Sequence, residues 1–189
     1  MRTFIENKIQ NNISTTQEIL THCVSDIENV IGVVINCLKN GNTVYWCGNG
    51  GSAGQAQHLS AELVGGFHDH HRPAFRSISL TTDTSFITAW GNDTSFDTIF
   101  SRQVEGLCKS GDVLIGITTS GNSRNIIEAV QLAKIMDVTT IVFTGVSGGK
   151  VGPLADYAIK IPSDETQHIQ EGHILVGHIL CEIVEKELS

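Results

Sequence analysis

Hydrophobic residues recur at helical spacing from Phe4 to about Cys23 and again from Ile27 to Leu38, where Gly41 supplies a stop signal. Two helices are therefore expected before any strand. The pattern then alternates between short apolar runs and amphipathic stretches. Thr43 to Cys47 reads as a strand, Ser52 to about Val64 as a helix, Phe75 to Leu80 as a second strand, and a stretch near Ser95 to Leu107 as a helix. Asp112 to Thr118 (DVLIGIT) is almost continuously apolar, Asn125 to Met136 is amphipathic, and Thr139 to Thr144 is apolar and β-branched. Tyr157 to Ile161 reads as the last strand, and the segment from about Gln167 to Leu188 as one long helix. Strands that are apolar on both faces and separated by helices imply a parallel sheet covered on both sides, with right-handed crossovers. The expected fold is α/β, a three-layer αβα sandwich forming a single domain over residues 1–189. The helices within residues 1–40 have no strands of their own and suit a subunit interface.

Composition agrees with one folded core. The chain has 189 residues, 40% hydrophobic and 17% charged, with no low-complexity tract. No apolar run approaches the roughly 20 residues a membrane span needs, and the start MRTFIENKIQNN lacks the apolar core of a signal peptide, so a cytoplasmic enzyme is expected. Five cysteines, an odd number without a CxxC pair, are expected to be reduced and mostly buried. The formal charge of −8 argues against nucleic acid or an anionic membrane as partner. A small anionic substrate would have to be held by local donors.

Two strand-to-helix junctions offer such donors, because ligands of doubly wound sheets bind beyond the carboxyl ends of the strands. The first is Cys47-Gly48-Asn49-Gly50-Gly51-Ser52, whose glycines admit a ligand close to the backbone; any tight turn uses glycine too, and the spacing fits neither GxGxxG nor a Walker loop. The second, Thr118-Thr119-Ser120-Gly121-Asn122-Ser123, reads as a phosphate cradle, or alternatively as an N-cap in which one hydroxyl satisfies the next helix.

On the helix after the first junction, His58 and Glu62 are four residues apart and share a face, as metal ligands, as acid-base groups, or as an ordinary solvated pair. The last helix carries Gln170, Glu171, His173 and His178, with Gln170 and His178 two turns apart on broadly similar sides; a polar interfacial stripe is the structural alternative. The run His68-Asp69-His70-His71 invites a metal reading, but loop histidines without a carboxylate pattern are more often solvent-exposed.

Taken together, CGNGGSAGQAQHLSAEL, GND at residues 91–93, GDVLIGITTSGNS and IQEGHILVGHIL resemble the phosphoheptose isomerases of the sugar isomerase (SIS) domain superfamily over nearly the whole chain. The resemblance implies a Rossmann-like SIS fold and zinc held by His58, Glu62, Gln170 and His178, with Glu62 and Gln170 also touching substrate. It places Asn49, Gly50, Gly51 and Ser52, with Asn92 and Asp93, at the sugar, and Thr118, Thr119, Ser120 and Ser123 at the phosphate. Two positions depart from the family: Gln167 stands where some relatives carry aspartate, and Gly66 where many carry arginine. Non-catalytic relatives that associate with replication initiators lack the equivalents of Glu62 and His178, and both are present here.

The implied reaction converts D-sedoheptulose 7-phosphate to D-glycero-D-manno-heptose 7-phosphate, the first step of heptose biosynthesis for lipopolysaccharide or capsule, in a homotetramer with sites between subunits. Moving a proton from C1 to C2 through an enediol needs a base and an acid, for which Glu62 and His178 are the candidates. The alternatives are an SIS-fold regulator or adaptor that binds a sugar phosphate without turnover, and an isomerase of another sugar phosphate.

Overall fold

The computed structural model describes residues 1–189. Two N-terminal helices, α1 (Arg2–His22) and α2 (Val24–Lys39), lead into β1 (Val44–Gly48) and α3 (Gly51–Gly65). The chain continues through β2 (Ser77–Ser79), α4 (Thr84–Asp93), a short 3-10 turn (Phe96–Thr98) and α5 (Ile99–Leu107). It closes with β3 (Val113–Ile117), α6 (Arg124–Ile135), β4 (Thr139–Gly145), β5 (Tyr157–Ile161) and α7 (Thr166–Leu188). The five strands form one parallel sheet in the order β2-β1-β3-β4-β5. The expected three-layer α/β architecture is present.

Alternation along the strands builds the two outer layers. Val44 and Trp46 of β1, Ile115 and Ile117 of β3, and Ile141 and Phe143 of β4 face a core shared with α1, α2, α3 and α7. Tyr45, Cys47, Leu114 and Val142 face the opposite core, filled from α5 and α6 by Phe100, Val104, Ile126 and Val130. Helix α2 presents Ile27, Val30, Ile31, Val34 and Cys37 to the first core, the spacing of a single apolar stripe.

Three local expectations are corrected. The helix expected from Ser95 begins as the 3-10 turn, because Ser95 accepts a hydrogen bond from the Asp97 N–H and caps that turn. The strand expected over Phe75–Leu80 pairs only over Ser77–Ser79, at the sheet edge. No helix is expected from sequence over Thr84–Asp93, where α4 stands; none of its residues is fully buried, Ile87 and Trp90 pack part-buried against the second core, and Asp83 caps it by accepting from the Phe86 N–H.

All five cysteines are buried and free. Burial raises the thiol pKa of each: to about 12 for Cys37, Cys108 and Cys181, and above the ordinary value for Cys23 and Cys47. The native protein is expected to react with less than one equivalent of a thiol reagent such as DTNB in the time denatured protein releases five. A rapid native reaction would contradict this burial.

Candidate active site

Strand order reverses between β1, which leads outward to β2, and β3, which leads the other way to β4. Beyond the carboxyl ends of these neighbouring strands lie the loops Gly48–Gly50 and Thr118–Ser123, at the switch point where such folds bind ligands. Asn49 and Asn125 tie the loops together with two reciprocal amide hydrogen bonds of 2.9 Å. Asn125 is buried in the first turn of α6 and was not among the residues expected from sequence. Asn49 therefore has a structural partner as well as its place beside the glycines.

The second loop is not an N-cap. Ser123 makes no capping hydrogen bond; its hydroxyl meets that of Thr118 at 3.2 Å. The N–H groups of Ser123, Arg124 and Asn125 at the head of α6, and those of Thr119 and Ser120, consequently find no partner within the chain. Unpaired N–H groups at a helix N-terminus, flanked by hydroxyls, are the setting in which proteins hold phosphate. The loop after β4 braces this cradle: the Val151 N–H donates to the Gly121 carbonyl, and the Lys150 N–H to the Asn122 side chain.

The helix residues converge because α3 and α7 run side by side. Gly177 allows their close approach, since a Cβ there would overlap the Leu59 side chain and lie 2.6 Å from its Cδ2. One residue on, His178 meets His58, with their Nε2 atoms 2.8 Å apart, and the Glu62 Oε1 stands 3.4 Å from the same His58 nitrogen. Glu62 is mostly buried and His58 half-exposed. Phe67 closes one side of His178, with ring centroids 5.6 Å apart.

Gln170 stands outside this trio. It lies eight residues before His178, about 12 Å along the helix, and its amide packs on Gly51, where a Cβ would come 2.7 Å from Nε2. Its carbonyl accepts from Gln55 at 2.7 Å, while the other end of the Gln55 amide, Oε1, is buried without a partner. Gly50 and Ser52 lie at the start of α3 beside it, Ser52 buried.

Asn92 and Asp93 end α4, which packs on α5 and the 3-10 turn, and the Asn92 amide donates to Asp93 at 2.7 Å. No contact joins them to the histidine pair in this single chain. Gln167 is exposed and hydrogen-bonds Glu165, while Gly66 ends α3 at a φ of 103°.

Other singled-out residues have structural roles. His173 is fully buried, donates through Nε2 to the Thr144 carbonyl at 3.1 Å, and is held neutral by burial, its pKa lowered to about 4. Because a carbonyl only accepts, Nε2 is the protonated nitrogen. Glu171 pairs at the surface with Asn12 and His168. His68, His70 and His71 are exposed and form no metal-holding group.

A pair of imidazole nitrogens at 2.8 Å shares one proton, and tetrahedral ligands of one zinc would sit farther apart, at about 3.3 Å. The trio is joined by hydrogen-bond contacts as it stands. Its chemistry nevertheless fits zinc: two imidazoles and a carboxylate converge, and a modest opening would replace the shared proton by a cation.

Unpaired N–H groups and hydroxyls at the switch point of a parallel sheet, together with a His-Glu-His cluster between α3 and α7, suit a sugar-phosphate enzyme of the SIS class, and the SIS domain family model matches residues 9–145. The chain belongs to this family, and within it to the phosphoheptose isomerases: it is a sugar-phosphate isomerase. The phosphoheptose isomerase of Akkermansia muciniphila is 48% identical over all of this chain and 98% of its own. That of Aquifex aeolicus is 57% identical over 85% of this chain and 83% of its own. The solved structure of the Neisseria gonorrhoeae phosphoheptose isomerase superposes with a TM-score of 0.92 at 39% identity, covering 98% of both chains. No helix is long and apolar enough to cross a membrane.

Proposed function

We propose that the chain converts D-sedoheptulose 7-phosphate to D-glycero-D-manno-heptose 7-phosphate, supplying heptose for lipopolysaccharide or capsule. The observation that carries this reading is the convergence of His58 and Glu62, on the helix that follows the β1 loop, with His178 of α7. Names of full-length relatives supply the heptose; the geometry supplies the chemistry.

The phosphate docks on the free N–H groups of residues 119–120 and 123–125, with the hydroxyls of Thr118, Thr119, Ser120 and Ser123 around it. Asn49, Gly50, Gly51 and Ser52 line the sugar, with Gln170 above them. Asn92 and Asp93 reach a sugar only if a second subunit brings them there. Glu62 removes the C1 proton of the ketose and returns a proton at C2, while His178 delivers a proton to the C2 oxygen and takes one from the C1 hydroxyl. Each transfer leaves the enzyme as it began, and the sugar becomes an aldose. His58, whose Nε2 touches both partners, holds the pair in register.

Zinc would be held by His58, Glu62 and His178; the Gln170 oxygen becomes a fourth donor only if its amide leaves its packing on Gly51. When bound it supplies Lewis acidity that polarises the sugar oxygens. Incubation of the purified protein with sedoheptulose 7-phosphate is expected to yield the aldoheptose phosphate by NMR, and faster than fructose 6-phosphate or ribulose 5-phosphate react. Preference for either of those would replace the heptose assignment. One zinc per chain by elemental analysis, removed by chelation together with activity, is expected. Activity undiminished in metal-free protein would sink the zinc proposal.

A homotetramer is proposed on the N-terminal helices. Phe4, Ile5, Ile9, Ile13 and Leu20 are exposed on α1, beside an apolar groove lined by Leu175 and Ile179. Light scattering that finds a monomer would remove it.

A further inference from the structure

The segment between α3 and β2 contains no helix or strand, yet it is anchored at one buried point. Arg72 and Glu185 form an ion pair of 2.8 Å with side chains only 2% and 7% exposed, the sole deeply buried pair in the chain. The Glu185 carboxylate also accepts from the N–H groups of Phe67 (2.7 Å), His68 (2.7 Å) and Asp69 (3.0 Å). Burial alone would raise its pKa, but the bond from Arg72 and those from the Asp69, His68 and Phe67 N–H groups outweigh it and lower the value to about 2. Glu185 is therefore an anion throughout the neutral range.

The guanidinium of Arg72 points three ways. Nε donates to Glu185, one terminal nitrogen to the Pro73 carbonyl at 2.9 Å, and the other to the Glu62 carbonyl at 3.0 Å, while its plane covers Phe75 at 3.9 Å. Glu185 in turn lies seven residues after His178, two turns along the same face of α7. Phe67, whose N–H it binds, rests on the His178 ring. A continuous path of contacts thus runs from the backbone of Glu62 through Arg72, Glu185 and Phe67 to His178. Leu59 against Gly177 sets the helix spacing near His58, and this polar clamp sets it at the far end.

A buried ion pair is a poor choice for stability alone, since apolar residues of similar size often do as well or better. Its directional bonds suit a different task. We propose that Arg72 and Glu185 are positioning residues of the isomerase, fixing the end of α3 that carries Glu62 against the face of α7 that carries His178. This rests on the reading of Glu62 and His178 as the proton-transfer pair.

The test uses full-length Arg72→Lys and Glu185→Gln proteins, assayed well below their melting temperatures, together with the double variant Arg72→Met/Glu185→Leu, which keeps the volume apolar. Lysine reaches one acceptor where arginine spans three. The expected result is folded protein with kcat lowered about 10- to 100-fold, as misplacement of about 1 Å implies, and KM within about twofold. The imidazole 15N signals of His58 and His178 should shift or broaden as their hydrogen bond loosens. If any folded variant keeps kcat within twofold of the parent and leaves those signals unchanged, the clamp is structural and the proposal falls. A parent protein that fails to isomerise the heptose phosphate would refute the functional reading instead, and the 15N signals then decide the positioning question by themselves.

Discussion

Replacing Glu62 by glutamine is expected to slow isomerisation by a factor of about 10² to 10⁴, the usual contribution of a positioned general base. The amide keeps the shape of the carboxylate at 3.4 Å from His58 but cannot take the C1 proton. Glutamine is isosteric with Glu62, whose side chain stays 23% exposed in the α3/α7 seam, so the fold should survive: the melting temperature is expected to stay within a few degrees. The measurement is the turnover rate, with exchange of the C1 hydrogen for solvent deuterium as a direct readout of proton removal. A variant retaining a tenth of the parent rate, or undiminished exchange, would remove Glu62 as the base. It would also leave the regulator reading stronger, since a binding protein has no need of this carboxylate.

Gly121→Ala is expected to have the second large effect, on stability and on phosphate binding together. Gly121 has a φ of 66°, and a Cβ there would overlap the Gly148 carbonyl oxygen and come within 2.6 Å of its carbon. All the obstructing atoms are backbone, so no rotamer change relieves them. The cost is about 2–3 kcal/mol of strain or an outward shift of the loop. Because the same loop presents the N–H groups of Thr119, Ser120 and Ser123, KM for the sugar phosphate should rise at least about tenfold, and the denaturation midpoint should fall. Gly54→Ala, at an open helical position, is the control and is expected to be neutral or slightly stabilising. Equal behaviour of the two variants would show that the contact between residues 121 and 148–149 is not what shapes the cradle.

The buried runs VYWCG and VLIGI are apolar on both faces and could only be central strands. Helix α4 is short and only part-buried, through Ile87 and Trp90, so its apolar periodicity is weak beside the Asp83 cap. The TTSGNS loop reads from sequence as a phosphate cradle, with an N-cap as the alternative, and the structure shows Ser123 bonding Thr118 rather than capping the helix. Arg72, Asn125 and Glu185 carry no pattern that distinguishes them from solvated polar residues. Their importance comes from partners 113 residues away for Arg72 and 76 for Asn125.

The linear chain alone determined the parallel α/β sandwich, its two extra N-terminal helices and the two glycine- and hydroxyl-rich strand-to-helix loops, because hydrophobic periodicity and glycine placement act over a few residues. It also determined that His58 and Glu62 share a helix face. Only the tertiary structure decided that His178 meets them while Gln170 lies two turns off against Gly51, and that Asn92 and Asp93 stand apart in one subunit. Those relations depend on how α7 docks on α3, which Gly177 permits through a contact with Leu59, 118 positions earlier in the chain. Contacts of that range are set by packing and charge burial across the whole fold, and no local spacing encodes them.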